Sequence, residues 1–390
     1  MDIKLNYIEQ GQGQPLILLH GNGESCNYFE HQIPFFSTNY RVIALDTRGH
    51  GLSLRGEKPF TIQQFAEDLH VFMNEKGIEK AILLGFSDGG NIALTFALKY
   101  PERVDKMIID GANLFPSGVK PLYQWPIEIG YHIAKLFSKK SEKAKQNAEM
   151  LGLMVNEPHI EPSELSRLSM PIMVVAGTND MIKESHTRLI YNSLPNSQLA
   201  ILDGDHFVAN KNPKAFNAMV RVFLSGYSVR HSTLDDLPII LGLRDQAREI
   251  MRSYGNTFQW PDGYPRDDMF RKDIETGGSH VIVDKSGTIV GTFALLPSPE
   301  VTYNIIYDGQ WLDEKPYHVI HRIASTPESH GILDVVLDYC EAVSPNIRID
   351  THEANIIMRK GLERHGYQYC GIIHLLNGDE RLAFQKSRGR

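Results

Sequence analysis

The chain of 390 residues has few cysteines, no excess of positive charge and no long apolar run. Its three cysteines, Cys26, Cys340 and Cys370, are odd in number and widely spaced. That pattern fits reduced thiols and argues against a disulfide framework or a zinc cluster, so no metal is expected. A formal net charge of -7 at pH 7 does not supply the basic face that phosphate contacts need, and nucleic acid is not an expected partner. The one lysine-rich stretch, KLFSKKSEKAK at 135–145, reads as a solvated helix face. No apolar run reaches the length of a bilayer span, and the start MDIKLNYIEQ has no cationic and apolar leader. A cytoplasmic protein without a membrane partner is the expectation. Repeats, low-complexity tracts and a Pro- or Ser-rich linker are also missing.

Hydrophobic residues make up 42% of the chain, enough for real cores, and the length favours two domains. Up to about residue 225, PLILLHG, RVIALD, KAILLGFS, KMIIDGA, PIMVVAG and QLAILDG are nearly continuous in Val, Ile and Leu. They read as strands buried on both faces. Helical segments separate most of them, such as TIQQFAEDLHVFMNEKG, which opens on a capping Thr61 and closes at Gly77. The alternation predicts an α/β fold with a mainly parallel sheet and a ligand site beyond the carboxyl ends of its strands. The interval 113–168 shows helices but no convincing strand and is expected to form a lid. A boundary is expected at 225–228. After it come a short strand YSVRHS, a helix, a hairpin SHVIVDKSGTIVGTFALL turning at Lys285 to Gly287, and further strands and helices over 228–390.

GFSDG at 85–89 sits where an apolar strand turns into a helix without a loop. Such a corner strains the backbone of its central residue and requires small neighbours two positions away. Gly85 and Gly89 meet that requirement, and Ser87 is thrust out at the strand's carboxyl end. A serine hydroxyl is a weak nucleophile near neutral pH, so it needs a base whose tautomer is fixed by an acid. His206 in LDGDHFV and Asp180 in VVAGTNDMI follow in the serine, acid, histidine order. Asp110 at the end of KMIID is the rival acid. His186 and His159 read as surface or lid residues, and His20 as a structural hydrogen-bonding residue. LLHGNGES resembles an oxyanion loop, with one backbone N–H from Asn22 and the other from Asp88. Asp88 itself has two readings that stay open: a helix cap, or a charge that attracts an amine-bearing acyl group.

On these motifs residues 1–225 resemble a lid-bearing α/β-hydrolase. GFSDGGNIALTFALKYPERVDKMIIDGANLF is similar to the biphenyl hydrolase-like serine hydrolases. The resemblance implies hydrolysis of esters, thioesters, amides or carbon–carbon bonds through an acyl-serine, with small acyl substrates and no cofactor.

In residues 228–387, QWPDGYP, IIYDGQWL, YHVIHRIAS and NIRIDTHEANIIMRKGLERHGYQYCGII resemble the GCN5-related N-acetyltransferases, the GNAT family. That resemblance implies an α+β domain with a mixed sheet and acetyl-CoA as cosubstrate. It further implies a splayed strand near His321 to Ser325 along the pantetheine, with Ile323, Ser325, Gly331 and Asn355 as coenzyme contacts. His321, His352 and Glu353 are candidate bases, and Tyr367 a candidate acid. ESHGIL departs from the family's R/Q-x-x-G-x-G/A by Glu328 and Leu333: a carboxylate near a pyrophosphate is unfavourable, and leucine crowds the backbone approach. The sequence thus reads as a bifunctional fusion of serine hydrolase and acetyltransferase. The alternative is a serine hydrolase carrying a catalytically dead binding or dimer-forming module. Oligomeric state is left open.

Overall fold

The computed structural model describes residues 2–387, and its chain divides into two compact units between Asn217 and Ala218. The division falls inside a helix, ahead of the 225–228 boundary drawn from the sequence.

The first unit runs β1 (Tyr7–Gln10), β2 (Pro15–Leu19), α1 (Gln32–Phe36), β3 (Arg41–Leu45), α2 (Ile62–Glu75), β4 (Ala81–Phe86), α3 (Asp88–Lys99) and β5 (Val104–Asp110). It continues through α4 (Pro121–Phe137), α5 (Glu142–Asn156), β6 (Ile172–Asn179), α6 (Glu184–Ser193), β7 (Ser197–Asp205), α7 (Val208–Lys211) and the start of α8 (Pro213–Ser225). The strands form one sheet in the order β1-β3-β2-β4-β5-β6-β7. All neighbours are parallel except β1, which lies antiparallel on β3. Strands such as β4 are buried at every position, which is why they read as unbroken apolar runs. β1, only YIEQ and half exposed, has no such signature. Helix α2 begins where the Thr61 hydroxyl accepts the N–H of Gln64 at 3.1 Å. It buries Ile62, Phe65, Ala66, Leu69, Phe72 and Met73, and each large side chain removed from water contributes about 1.5 to 3 kcal/mol. The interval 113–168 holds α4, α5 and two short 3-10 turns, and its one strand-like pairing among the described residues is an isolated bridge from Val119 to Ile182.

The second unit contains β8 (Ser228–His231), α9 (Leu237–Ser253), α10 (Asp267–Glu275), β9 (Ser279–Val283), β10 (Ile289–Pro297) and β11 (His318–Ser325). They are followed by α11 (Ile332–Val343), β12 (Asn346–Thr351), α12 (Ile356–Arg364), β13 (Gln368–His374) and β14 (Glu380–Ser387). The sheet order is β13-β14-β12-β11-β10-β9-β8. Only β11 and β12 run parallel, so the sheet is mixed. Their pairing stops early: His318, Val319 and Ile320 face Ile347, Arg348 and Ile349, and no pair follows. Beyond that point β11 stays on β10 as far as Ser325, while β12 stays on β14 as far as Thr351. The two strands therefore open into a fork. The β10–β11 register shifts between Thr292 and Ala294, opposite Arg322, whose φ of 53° is left-handed. That bulge re-aims the outer part of β11.

Candidate active site

Ser87 occupies the corner between β4 and α3 with φ 53° and ψ -120°, a conformation that L-residues avoid and that is held only when the surroundings over-determine it. The glycines around it make the corner possible. A Cβ on Gly85 would lie 2.2 Å from the carbonyl oxygen of Gly89, and one on Gly89 would lie 1.9 Å from that of Leu19. The Ser87 N–H donates to the Asp110 carbonyl at 2.7 Å, which ties the corner to β5.

His206, just past β7, lies with Nε2 3.1 Å from the Ser87 hydroxyl and Nδ1 2.7 Å from Oδ1 of Asp180, just past β6. The carboxylate of Asp180 fixes Nδ1 as the protonated nitrogen, so Nε2 is free to accept. That carboxylate is itself oriented by the N–H of Ile182 at 2.9 Å. Asp180 and His206 are buried. The three residues expected from the sequence form one connected relay. Asp110, the rival acid, is fully buried, and neither carboxyl oxygen has a hydrogen-bond partner among the described residues. Burial, reinforced by the charge of Asp180, pushes its pKa well above its ordinary value.

Asn22 lies in the turn after β2, and its side chain donates to the Met150 carbonyl of α5 at 2.7 Å. The N–H of Asp88 is the first amide of α3 and has no acceptor within the helix. The Asp88 carboxyl is buried; its Oδ1 accepts from the Asn91 side chain at 3.2 Å and its Oδ2 has no partner among the described residues. Burial raises its pKa to about 6 against the pull of the nearby Asn22 and Asn91 amides. It does not cap α3, whose N-cap is Ser87. His20 is structural: Nδ1 meets the Gly21 carbonyl at 2.7 Å, Nε2 accepts the Thr47 N–H at 3.0 Å, and burial lowers its pKa to about 4. His159 is exposed, but His186 is not the surface or lid residue expected. It is buried on α6, where Nε2 accepts the Leu114 N–H at 3.0 Å and anchors the chain entering the 113–168 interval.

In the second unit, Ile323 and Ser325 lie on the arm of β11 that leaves β12. Gly331, with φ 73°, is the N-cap of α11. Glu328 is exposed in the intervening loop, and Leu333 packs on α12, where a Cβ on Gly361 would lie 2.3 Å from its Cδ2. Asn355 uses both polar ends internally: Oδ1 accepts the Met358 N–H at 3.1 Å and Nδ2 donates to Gln259 at 2.9 Å. At the mouth of the fork His321 lies between two carboxylates, with Nε2 3.4 Å from Glu300 and Nδ1 3.8 Å from Asp350. The Tyr303 hydroxyl donates to Asp350 at 2.7 Å. The His321 ring holds Glu300 down to about 2, while burial and then Asp350 push the Tyr303 phenol up. Glu300, Tyr303 and Asp350 escape the sequence reading because they come from the turn after β10 and from β12, which only the tertiary fold brings to His321. His352 stacks on Phe258 and accepts the Ala354 N–H at 3.1 Å; Glu353 is exposed, and Tyr367 is buried among the apolar core side chains.

A family model described as alpha/beta hydrolase fold matches residues 14–129. The chain is 26% identical over 255 residues to the 3-oxoadipate enol-lactonase 2 of Acinetobacter baylyi, covering 58% of this chain and 95% of that protein. It is 38% identical over 148 residues to a 2-hydroxy-6-oxo-6-phenylhexa-2,4-dienoate hydrolase of Comamonas testosteroni, covering 36% of this chain and 50% of that protein. Among solved structures, a GNAT-family acetyltransferase from Streptococcus agalactiae is 32% identical with a TM-score of 0.39, covering 42% of this chain and 97% of its own. The sheet order, the Ser87–His206–Asp180 relay at its strand ends and the match over residues 14–129 together give the amino-terminal unit an α/β-hydrolase fold.

Proposed function

We propose that the amino-terminal unit hydrolyses carboxylic esters or related acyl compounds through an acyl-serine. The observation that carries this reading is the unbroken hydrogen-bonded line from Ser87 through His206 to Asp180. The Ser87 oxygen attacks the acyl carbon while its proton passes to Nε2 of His206, and Asp180 stabilises the imidazolium. The backbone N–H groups of Asn22 and Asp88 receive the developing oxyanion. His206 then returns the proton to the leaving group, and water repeats the sequence on the acyl-serine to release the acid. The unpartnered Oδ2 of Asp88 supports acyl groups that carry a cation or a hydrogen-bond donor. A screen of aryl esters of graded acyl length tests the reading: wild type turns over a subset, and Ser87→Ala abolishes that turnover with the fold intact. Activity of Ser87→Ala above a His206→Ala background refutes it.

For the carboxy-terminal unit we propose acetyl transfer from acetyl-CoA to an amine. The open arm of β11 has unpaired backbone groups through Ser325, which suit an extended pantetheine. The N-terminus of α11 after Gly331 suits a pyrophosphate. Glu328 points to solvent and Leu333 is turned onto Gly361, so both departures from the family pattern leave room for the coenzyme. The acceptor nitrogen forms its bond to the acetyl carbon as His321 takes its proton, the C–S bond then breaks, and the coenzyme thiolate leaves and is protonated, so that amide and free thiol result. Glu300 and Asp350 favour an acceptor that arrives as a cation and sheds a proton before attack. Calorimetric titration with acetyl-CoA tests coenzyme binding. Absence of heat selects the alternative of a non-catalytic module, which the carboxylate of Glu328 favours.

A further inference from the structure

Helix α4 is amphipathic with its apolar side turned to solvent. On the side facing α5, Gln124 is buried and donates to Glu128, and Gly130 abuts Leu151 closely enough that a Cβ would lie 3.3 Å away. On the opposite side Leu122, Trp125, Ile129, Ile133 and Leu136 recur at helical spacing, 56–77% exposed, with Phe137 at 50%. A surface helix ordinarily turns such a stripe to the core, and an exposed contiguous patch of large apolar side chains marks a contact surface. Charge says what it contacts. From residue 120 to 145 the chain carries Lys120, Lys135, Lys139, Lys140, Lys143 and Lys145 against Glu128 and Glu142, six positive and two negative, a net +4 in a chain of net -7. All these lysines but Lys120 are exposed, and Glu142 is paired with Lys145. Antiparallel pairing of α4 with a second copy would set the lysines after one helix beside Lys120 of the other, with no acid on the apolar stripe to offset them.

We propose that α4 and the lysines that follow it form a peripheral docking surface for an anionic lipid membrane. The aliphatic stripe enters the acyl boundary, Trp125 sits at the headgroup level, and the lysines meet the phosphates, their stems lying along the apolar surface. No helix among the described residues is long and apolar enough to cross a membrane, so the contact is one of lying on the surface. The sequence expectation of no membrane partner weighed only a spanning run. The proposal is independent of the hydrolytic and acetyl-transfer readings.

The test is flotation of the full chain with vesicles of phosphatidylcholine, with and without phosphatidylserine. Wild type should float with the serine-containing vesicles and far less with phosphatidylcholine alone. Lys139→Glu/Lys140→Glu should weaken binding by roughly tenfold or more, and Ile129→Ser/Leu136→Ser should abolish it. Circular dichroism of both variants should match wild type. Failure of wild type to float, or binding unchanged in either variant, overturns the proposal. So does a wild-type dimer in sedimentation that Ile129→Ser/Leu136→Ser dissolves, because that assigns the stripe to a second copy.

Discussion

Removing one of the two buried aspartates beneath Ser87 should be nearly fatal and removing the other nearly silent. Asp180 Oδ1 lies 2.7 Å from Nδ1 of His206, so when His206 takes the serine proton an imidazolium forms against a carboxylate. Two unit charges about 4 Å apart attract by about 4 kcal/mol at an effective dielectric of ~20, close to a thousandfold in rate. Loss of tautomer control brings the expected fall in kcat for Asp180→Ala to about 10⁴. KM should move little, since the acid touches no substrate. The Asp110 carboxyl is buried, its pKa is pushed up, and neither of its oxygens has a hydrogen-bond partner among the described residues. Asp110→Asn keeps its shape and should leave kcat near wild type. The double variant should match Asp180→Ala. The assay is steady-state turnover of an aryl ester, with thermal melts as a control because Asp180 also orients the Ile182 N–H. A larger loss in Asp110→Asn than in Asp180→Ala would refute the assignment of the acid.

Asp110 also sets a dependence of stability on pH. Its folded pKa is raised by burial and by Asp180, so above about pH 4, where the unfolded carboxyl ionises, the native state holds an extra proton and loses stability as pH rises. Melting curves should show Asp110→Asn gaining on wild type upward from about pH 4 and matching it below; a constant difference would contradict the shift. Gly89→Ala should cost much of the fold's stability and nearly all activity, because its Cβ would meet the Leu19 carbonyl 1.9 Å away. A fully active Gly89→Ala with an unchanged melt would remove the steric argument for the corner. For an aminoacyl ester, kcat/KM relative to a neutral ester should fall as pH drops through about 6, where Asp88 is protonated. Asp88→Asn should flatten that ratio, and a ratio independent of pH in wild type would reject a role for its charge.

Features imposed by sterics were legible in the sequence. The corner at Ser87 needs glycine at 85 and 89, and the parallel strands need unbroken apolar runs, so the relay and the first sheet could be read in advance. Two strands escaped: β1 is short and half exposed with no apolar run to announce it, and β14 was missed although Asn377–Gly378, between it and antiparallel β13, is a hairpin turn pair. Asp88 left its cap reading when Ser87 took the N-cap, and His186 left the surface when its ring met the Leu114 N–H. Asp350 on β12 and Glu300 and Tyr303 in the turn after β10 meet His321 through tertiary packing that residue spacing does not encode. The direction in which α4 turns its apolar side depends on how it packs on α5, which helical spacing does not encode.

Covalent trapping tests the central claim most directly. A fluorophosphonate probe applied to the full chain, followed by peptide mass spectrometry, should give one adduct on the peptide carrying Ser87, absent in Ser87→Ala and greatly slowed in His206→Ala. An unlabelled wild-type chain, or an adduct on another residue that persists in Ser87→Ala, would contradict the account.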